Sequence, residues 1–336
     1  MNYKCKGCGY ILQNKEESKL GFLPLKIFDD NMYCKRCFKL KHYGVMEKNN
    51  FTYGDFFKTL KNIDSENSLI LIVVDIINIP FELNKLIELY KKENILFVIT
   101  KRDLLPVTIK EEKILNYFNK FSIPSIIISS KNNYNMDVLI NKINSKKNNN
   151  KVYVTGYANA GKSTLINKII KNYSEKTPSI LTSNLPNTTI NILEIEINEN
   201  LILVDTPGII IKNNIFNNLS VKEINKVTID SMIKPKIYST LSKKSLILEK
   251  FCRINYLDDN DNNSLILYVS NNINIMKINH QTRKEEYKDY DTYDFYIEKD
   301  TDVVINGLGF IKIKKECNIN IQIIKDVLVY TRKTIL

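Results

Sequence analysis

KVYVTGYANAGKSTLINKII, residues 151–170, is the stretch whose reading decides the fold. Lys151 to Thr155 is rich in β-formers, and Ser163 to Ile170 places apolar residues at helical spacing. Between them, Gly156-Tyr157-Ala158-Asn159-Ala160-Gly161-Lys162-Ser163-Thr164 satisfies the pattern G-x-x-x-x-G-K-[ST] in full. A strand, a glycine-bearing turn and a helix start bring several backbone N–H groups around one point. Phosphate is held there by those donors and by the positive end of the helix. Gly156 and Gly161 permit the turn. Lys162 is expected to reach the β- and γ-phosphates and Ser163 to ligate magnesium, with Asn159, Ala160, Gly161 and Thr164 completing the cradle.

Four companion motifs surround this loop. Downstream, Leu201 to Val204 reads as a buried strand ending in Asp205-Thr206-Pro207-Gly208. Asp205 is expected to hold magnesium through water, and the Gly208 N–H to face the γ-phosphate. Thr188-Thr189 lies between the two, with Thr189 the expected magnesium-binding switch threonine and Thr188 the second choice. Lys162, Thr189, Asp205 and Gly208 thus form the expected catalytic set. Upstream, the apolar run Ile95 to Ile99 ends in Thr100-Lys101-Arg102-Asp103. The Asp103 carboxylate can accept two hydrogen bonds from a guanine edge, and the Lys101 stem would pack over the base. Thr100 stands where asparagine is usual; it loses an amide contact and keeps a hydroxyl. Ser129-Ser130-Lys131, after the strand Ser125 to Ile128, would back the base through the Ser130 N–H and Lys131. The base-reading motif precedes the phosphate loop, the reverse of the ordinary order. The set is that of a guanine-nucleotide domain, circularly permuted.

The N-terminus carries Cys5-x-x-Cys8 and Cys34-x-x-Cys37, with Gly7 and Gly9 flanking Cys8. Two such pairs fit a four-thiolate tetrahedral zinc site with no open position, a folding rather than a catalytic metal. Two disulfides or four separate thiols are the alternatives. Met1-Asn2-Tyr3-Lys4 leads straight into the first knuckle, so no signal peptide is expected, and a reducing, cytoplasmic setting disfavours disulfides. His42 reads as a surface residue beside Lys39 and Lys41, and Cys252 and Cys317 as buried small apolar residues.

Together these features resemble the YqeH-type family of circularly permuted GTPases. The run Tyr33-Cys34-Lys35-Arg36-Cys37-Phe38-Lys39-Leu40-Lys41-His42-Tyr43, Val73-Val74-Asp75-Ile76, His280-Gln281-Thr282-Arg283 and Asn306-Gly307-Leu308-Gly309-Phe310-Ile311 carry further likeness. The resemblance implies a GTPase that binds GTP and GDP, acts in assembly of the small ribosomal subunit and contacts 16S-type rRNA through flanking domains. In related GTPases an asparagine at the place of Asn159 helps bind potassium, whose charge acts on the phosphates as an arginine finger would. The alternative is a loop filler without an ion. Ile209 follows Gly208 where many GTPases carry a water-positioning glutamine, so slow, potassium-stimulated hydrolysis is expected.

Lys and Arg number 49 against 37 Asp and Glu, a net charge of +12, with pI near 9.1. That favours a polyanionic partner, nucleic acid first; a genome biased to Lys and Asn would give the same excess. Apolar residues make up 43% of the chain and mean hydropathy is −0.23, sufficient for real cores and without a membrane-spanning run. The expected division is a zinc module over 1–48, the permuted GTPase domain over 49–215, and a mostly β domain over 216–336 that contacts RNA. Strand–helix alternation in the middle domain predicts an α/β fold, a mainly parallel sheet with helices on both faces. Expected strands in the last domain are Leu265 to Val269, Tyr293 to Ile297, Thr301 to Asn306, Phe310 to Lys314 and Ile319 to Ile324. A non-hydrolysing RNA-binding scaffold, with zinc and nucleotide as structural ligands, is the competing function, favoured by Ile209 and Thr100. An enzyme that modifies RNA lacks a visible catalytic cluster, with two histidines in the chain.

Overall fold

Leu69-Ile70-Leu71-Ile72-Val73-Val74-Asp75 is buried at every position, as a strand covered on both faces must be. In the computed structural model it is β1 (Leu69–Asp75), the third strand of a seven-stranded sheet. Residues 5, 11–15, 22–23, 33–34, 60, 67–174, 180–184, 191–206, 208–211, 213–259, 263–282 and 284–336 are described. Then follow α1 (Leu83–Ile87), β2 (Ile95–Thr100), α2 (Glu111–Asn119), β3 (Ser125–Ile127), α3 (Met136–Lys146), β4 (Lys151–Gly156), α4 (Lys162–Tyr173), β5 (Ile180–Asn184), β6 (Asn191–Asn198) and β7 (Leu201–Asp205). The strand order is β3-β2-β1-β4-β7-β6-β5. The first five run parallel, and β6 and β5 return antiparallel at one edge.

Alternate residues of β1 point to opposite layers. Ile70, Ile72 and Val74 pack with Leu86 of α1 and Ile114 and Phe118 of α2. Leu69, Leu71 and Val73 pack with Met136 and Leu139 of α3 and Leu165 and Ile169 of α4. Each such side chain contributes about 1.5–3 kcal/mol when fully buried, so a one-residue slip of β1 would exchange both layers.

From β1 the chain builds outward through β2 and β3. It then returns to lay β4 on the other side of β1 and continues to β7. The gap between β1 and β4 is therefore the topological switch point, where open α/β sheets bind ligands at the carboxyl ends of their strands. The return passes through the polar stretch 147–150, which closes the permuted domain. There Asn149 Nδ2 donates to the Asn67 carbonyl at 2.7 Å and Asn150 Nδ2 to the Glu199 carbonyl at 3.2 Å.

After β7 come α5 (Val221–Val227) and ten strands: β8 (Lys236–Ser239), β9 (Lys244–Leu248), β10 (Cys252–Tyr256), β11 (Ser264–Val269), β12 (Ile275–Asn279), β13 (Asp291–Ile297), β14 (Thr301–Ile305), β15 (Gly309–Ile313), β16 (Cys317–Ile323) and β17 (Val329–Lys333). They form two antiparallel sheets, β12-β9-β10-β16-β13 and β17-β14-β15-β11-β8. Leu246, Ile254 and Ile321 of the first meet Leu267, Val303 and Ile311 of the second in one core, which also takes in Cys252 and Cys317. The opposite face of the second sheet presents Tyr268, Val304, Phe310 and Tyr330, which share a cluster with Ile79, Tyr157 and Ile209 of the nucleotide domain. This inner sheet is thus buried on both sides, and Tyr330 Oη donates to the Ile79 carbonyl at 2.5 Å.

The five expected C-terminal strands are present with ends shifted by up to two residues. Sequence reading did not anticipate β8, β9, β10, β12 and β17. In β10, Arg253 and Asn255 are buried among apolar residues, a mixture that periodicity does not mark as a core strand. Among the described residues no helix is long and apolar enough to cross a membrane. At Gly309 (φ +135°) an added Cβ would lie 2.1 Å from the Tyr268 carbonyl oxygen of the neighbouring strand. Gly309→Ala should therefore destabilise the protein by about 2–4 kcal/mol in urea unfolding, a loss that a permissive turn at this position would not produce.

Candidate nucleotide-binding site

The phosphate loop connects β4 to α4 at the switch point. Gly156 has φ +149°, and a Cβ there would lie 2.4 Å from the Val73 carbonyl oxygen, so β1 itself demands glycine. Gly161 has φ +94° immediately before α4. It supplies no side-chain cap, and the first turn of α4 holds no acidic residue, so its N–H groups are left for an anion. Asn159 is exposed in a left-handed conformation (φ 65°), Ala160 is buried, and Ser163 and Thr164 are exposed.

Lys162 and Asp205 are brought to one point from α4 and the end of β7. Burial lowers the Lys162 pKa and raises that of Asp205, and each charge opposes the shift of the other. Asp205 Oδ1 is buried without a hydrogen-bond partner. A Cβ on Gly208 would lie 3.0 Å from Lys162 Nζ, so the third expected residue stands beside the lysine head. The orphaned Asp205 oxygen and the exposed Ser163 hydroxyl are hard oxygen donors that fit magnesium. When bound there, magnesium would neutralise charge on the β- and γ-phosphates.

The segment after β7 is stitched to the loop. Ala158 N–H donates to the Ile209 carbonyl at 2.8 Å, and Ile209 N–H to the Gly156 carbonyl at 3.1 Å. The Ile209 side chain is fully buried in the core.

The base motif lies at the carboxyl end of β2. The buried Thr100 hydroxyl stands 2.6 Å from the Ala160 carbonyl and 3.2 Å from the Val74 carbonyl. Its one proton serves the shorter contact, so Thr100 ties the base motif to the phosphate loop. Lys101, at φ 65°, extends its ammonium to Asp75 Oδ2 at 2.7 Å, while Asp75 Oδ1 accepts from Ile77 N–H at 2.8 Å. Asp103 Oδ1 accepts from the buried Ser129 hydroxyl at 2.6 Å, which fixes the orientation of the carboxylate. Ser129 thus acts through Asp103. Ser130 follows in the same loop, and exposed Lys131 donates to the Asp230 carbonyl at 3.0 Å. Asp75 was not expected as a site residue; the signal was an acid closing an otherwise wholly apolar strand.

Thr188, Thr189 and Pro207, and Cys8 and Cys37 of the zinc set, lie outside the described residues. Cys5 and Cys34 are both buried, and Cys34 N–H donates to Cys5 Sγ at 3.1 Å.

Residues 59–213 match the family described as RsgA GTPase, and residues 151–306 that described as 50S ribosome-binding GTPase. The protein YqeH of Bacillus subtilis, itself described as uncharacterized, is 28% identical over 342 residues, covering 92% of each chain. These matches support a YqeH-type circularly permuted GTPase. NO-associated protein 1 of Arabidopsis thaliana is 27% identical over 243 residues, 61% of this chain and 43% of that one. The matching GTPase domains imply magnesium-dependent binding of guanine nucleotide.

Two substitutions separate support from contact in this GTPase. Thr100→Ala removes the tie to Ala160 and should cost about 1–2 kcal/mol in fluorescent-GDP affinity. Asp75→Asn keeps an acceptor for Ile77 but loses the Lys101 ion pair, and should weaken GDP about 3–10-fold with little change in Tm. Unchanged affinity in both variants would remove these residues from the site's framework.

Proposed function

We propose that this GTPase is a hydrolysing switch in small ribosomal subunit assembly, acting in the cytoplasm and contacting 16S-type rRNA through its flanking domains. The observation that carries this reading is the route taken by the chain after Gly208. The Asn213 carbonyl, five residues on, accepts from Asn306 Nδ2 at 2.9 Å and from Leu328 N–H at 3.0 Å. Ile215 N–H donates to the Asn306 carbonyl at 3.0 Å, and Ile215 enters the sandwich core. Asn214 fills the space where a Cβ on Gly307 would sit. The Asn306-Gly307 motif is therefore the receptor for the switch segment. A change at Gly208 on loss of the γ-phosphate would pull on the sandwich, an ordering switch of the usual GTPase kind.

Lys162, Asp205 and Gly208 act together on the phosphates in this reading. Lys162 supplies a poorly solvated positive charge, with Gly208 close to its head, and the Gly208 N–H would serve the γ-phosphate. Thr189 would join Ser163 on magnesium. The buried Ile209 has no hydrogen-bonding group to orient water, which supports slow turnover; Asn159, exposed and left-handed, would help hold potassium. The approach of Cys34 N–H to Cys5 sulfur is the bonding expected inside a metal knuckle, and supports structural zinc on Cys5, Cys8, Cys34 and Cys37. The net charge of +12 suits an RNA partner. The buried Ile209 also favours a second reading, a scaffold that binds nucleotide without hydrolysis.

GTP hydrolysis measured in potassium against sodium, with purified small or large subunits and Lys162→Ala as blank, distinguishes these. Turnover should rise with potassium and with small subunits, and vanish in the variant. Stimulation by large subunits alone would move the protein to the other half of the ribosome. Tight GTP binding without turnover would establish the scaffold. Denaturation in the presence of a zinc-sensitive dye should release about one zinc per chain.

A further inference from the structure

Between α5, whose Val227 lies in the sandwich core, and β8 the chain runs along the nucleotide domain as residues 228–234. One side of it is bound to both loops that frame the base. Ile233 N–H donates to the Leu104 carbonyl at 2.9 Å, one residue after Asp103. Lys131 Nζ donates to the Asp230 carbonyl at 3.0 Å, one residue after Ser130. The Ile233 side chain is buried with Leu104 and Leu105 in the nucleotide-domain core. The other side is gripped by the turn between β11 and β12. Asn271 Nδ2 donates to the Met232 carbonyl and Asn271 Oδ1 accepts from Lys234 N–H, both at 2.9 Å, and Ser270 Oγ donates to the Thr228 carbonyl at 3.0 Å. Asn271 thus takes the place of a neighbouring β-strand around Ile233.

We propose that this strap is a positioning element for the guanine base, and that Asn271 and Ser270 of the sandwich set nucleotide selectivity and residence time. Asp103 and Ser130 come from loops 26 residues apart joined by the Ser129 bond. The strap is a second brace between the same loops, bonded to each through Leu104 and Lys131. A braced pair of loops loses less freedom when guanine enters, so affinity rises through preorganisation. The coupling is reciprocal: a partner that draws the sandwich turn away from the strap weakens nucleotide by the factor that nucleotide weakens the partner. This is a route to nucleotide release independent of the γ-phosphate route through Asn213, because it acts on GDP and GTP alike.

The test is made on the full chain with Asn271→Ala and Ser270→Ala, following release of fluorescent GDP by stopped flow and comparing affinity for GDP and IDP. IDP lacks the 2-amino group that Asp103 reads, so the GDP/IDP ratio reports base-loop geometry, with Asp103→Ala as the fully lost limit. Asn271→Ala should speed GDP release about five- to tenfold and lower the GDP/IDP ratio, with Ser270→Ala intermediate. Faster release with an unchanged ratio would assign Asn271 a general stabilising role and overturn the proposal, as would unchanged release. Should Asn271→Ala fail to fold, amide hydrogen exchange on the unmodified protein decides. GDP should protect residues 228–234 more than residues 291–297 at the far sheet edge, and equal protection would reject the strap.

Discussion

The hydrogen bond from the Thr100 hydroxyl to the Ala160 carbonyl joins the strand that ends in the base motif to the loop that holds phosphate. Those residues are 60 apart in sequence, and the permutation has put them in reversed order. They meet because β4 is laid against β1, which pairs with β2 on its other side. The close pairing of Val73 with Gly156 leaves no room for a Cβ on the loop's first glycine. Base and phosphate contacts are therefore held at one spacing by the sheet. A bond from a buried hydroxyl to a buried carbonyl is costly to leave unmade, which is why threonine serves here without the amide usual at this position.

Permutation changes what the site is attached to. The nucleotide domain ends at β7, beside the γ-phosphate position, and the chain then runs directly over the sandwich. Asn213 and Asn306 fasten it on the phosphate side, and residues 228–234 on the base side. Both attachments converge on one sheet, which is buried between the sandwich core and the nucleotide domain. Tyr268 stacks on Phe310 at 4.7 Å within that interface, and Phe81 meets Tyr330 at 5.2 Å. A sheet packed on both faces has little freedom to deform, so each attachment is made to a firm base.

The interface also contains a polar constraint. Asp302 and Arg332 are buried as an ion pair at 3.5 Å, with the guanidinium over the Phe310 ring at 4.8 Å. Burial raises the Asp302 pKa, against the opposing charge of Arg332. Such a pair contributes little net stability, since desolvation offsets attraction, but an apolar residue placed opposite either charge would leave the other uncompensated. The two stand opposite each other on the paired strands β14 and β17, so the pair belongs to the inner sheet itself and constrains its register.

The phosphate loop, the switch aspartate, the base motif and their permuted order were legible because each is a local pattern, set by glycine conformations and by acids at the ends of apolar strands. The parallel α/β sheet was legible for the same reason, through runs such as LILIVVD and ILFVI. The polar strand β10 was not, because Arg253 and Asn255 are satisfied by each other and by Ser245, Asn320, Gln322 and the His280 and Thr282 carbonyls, most of them distant in sequence. Nor was the role of Asp75, whose partner Lys101 arrives from the adjoining strand. By itself the sequence determined which residues can hold a guanine nucleotide and in what order the chain presents them. Tertiary structure alone decided which of them touch one another and which brace the site, since a hydroxyl or carboxylate is committed only when a distant backbone or side chain comes within hydrogen-bond reach.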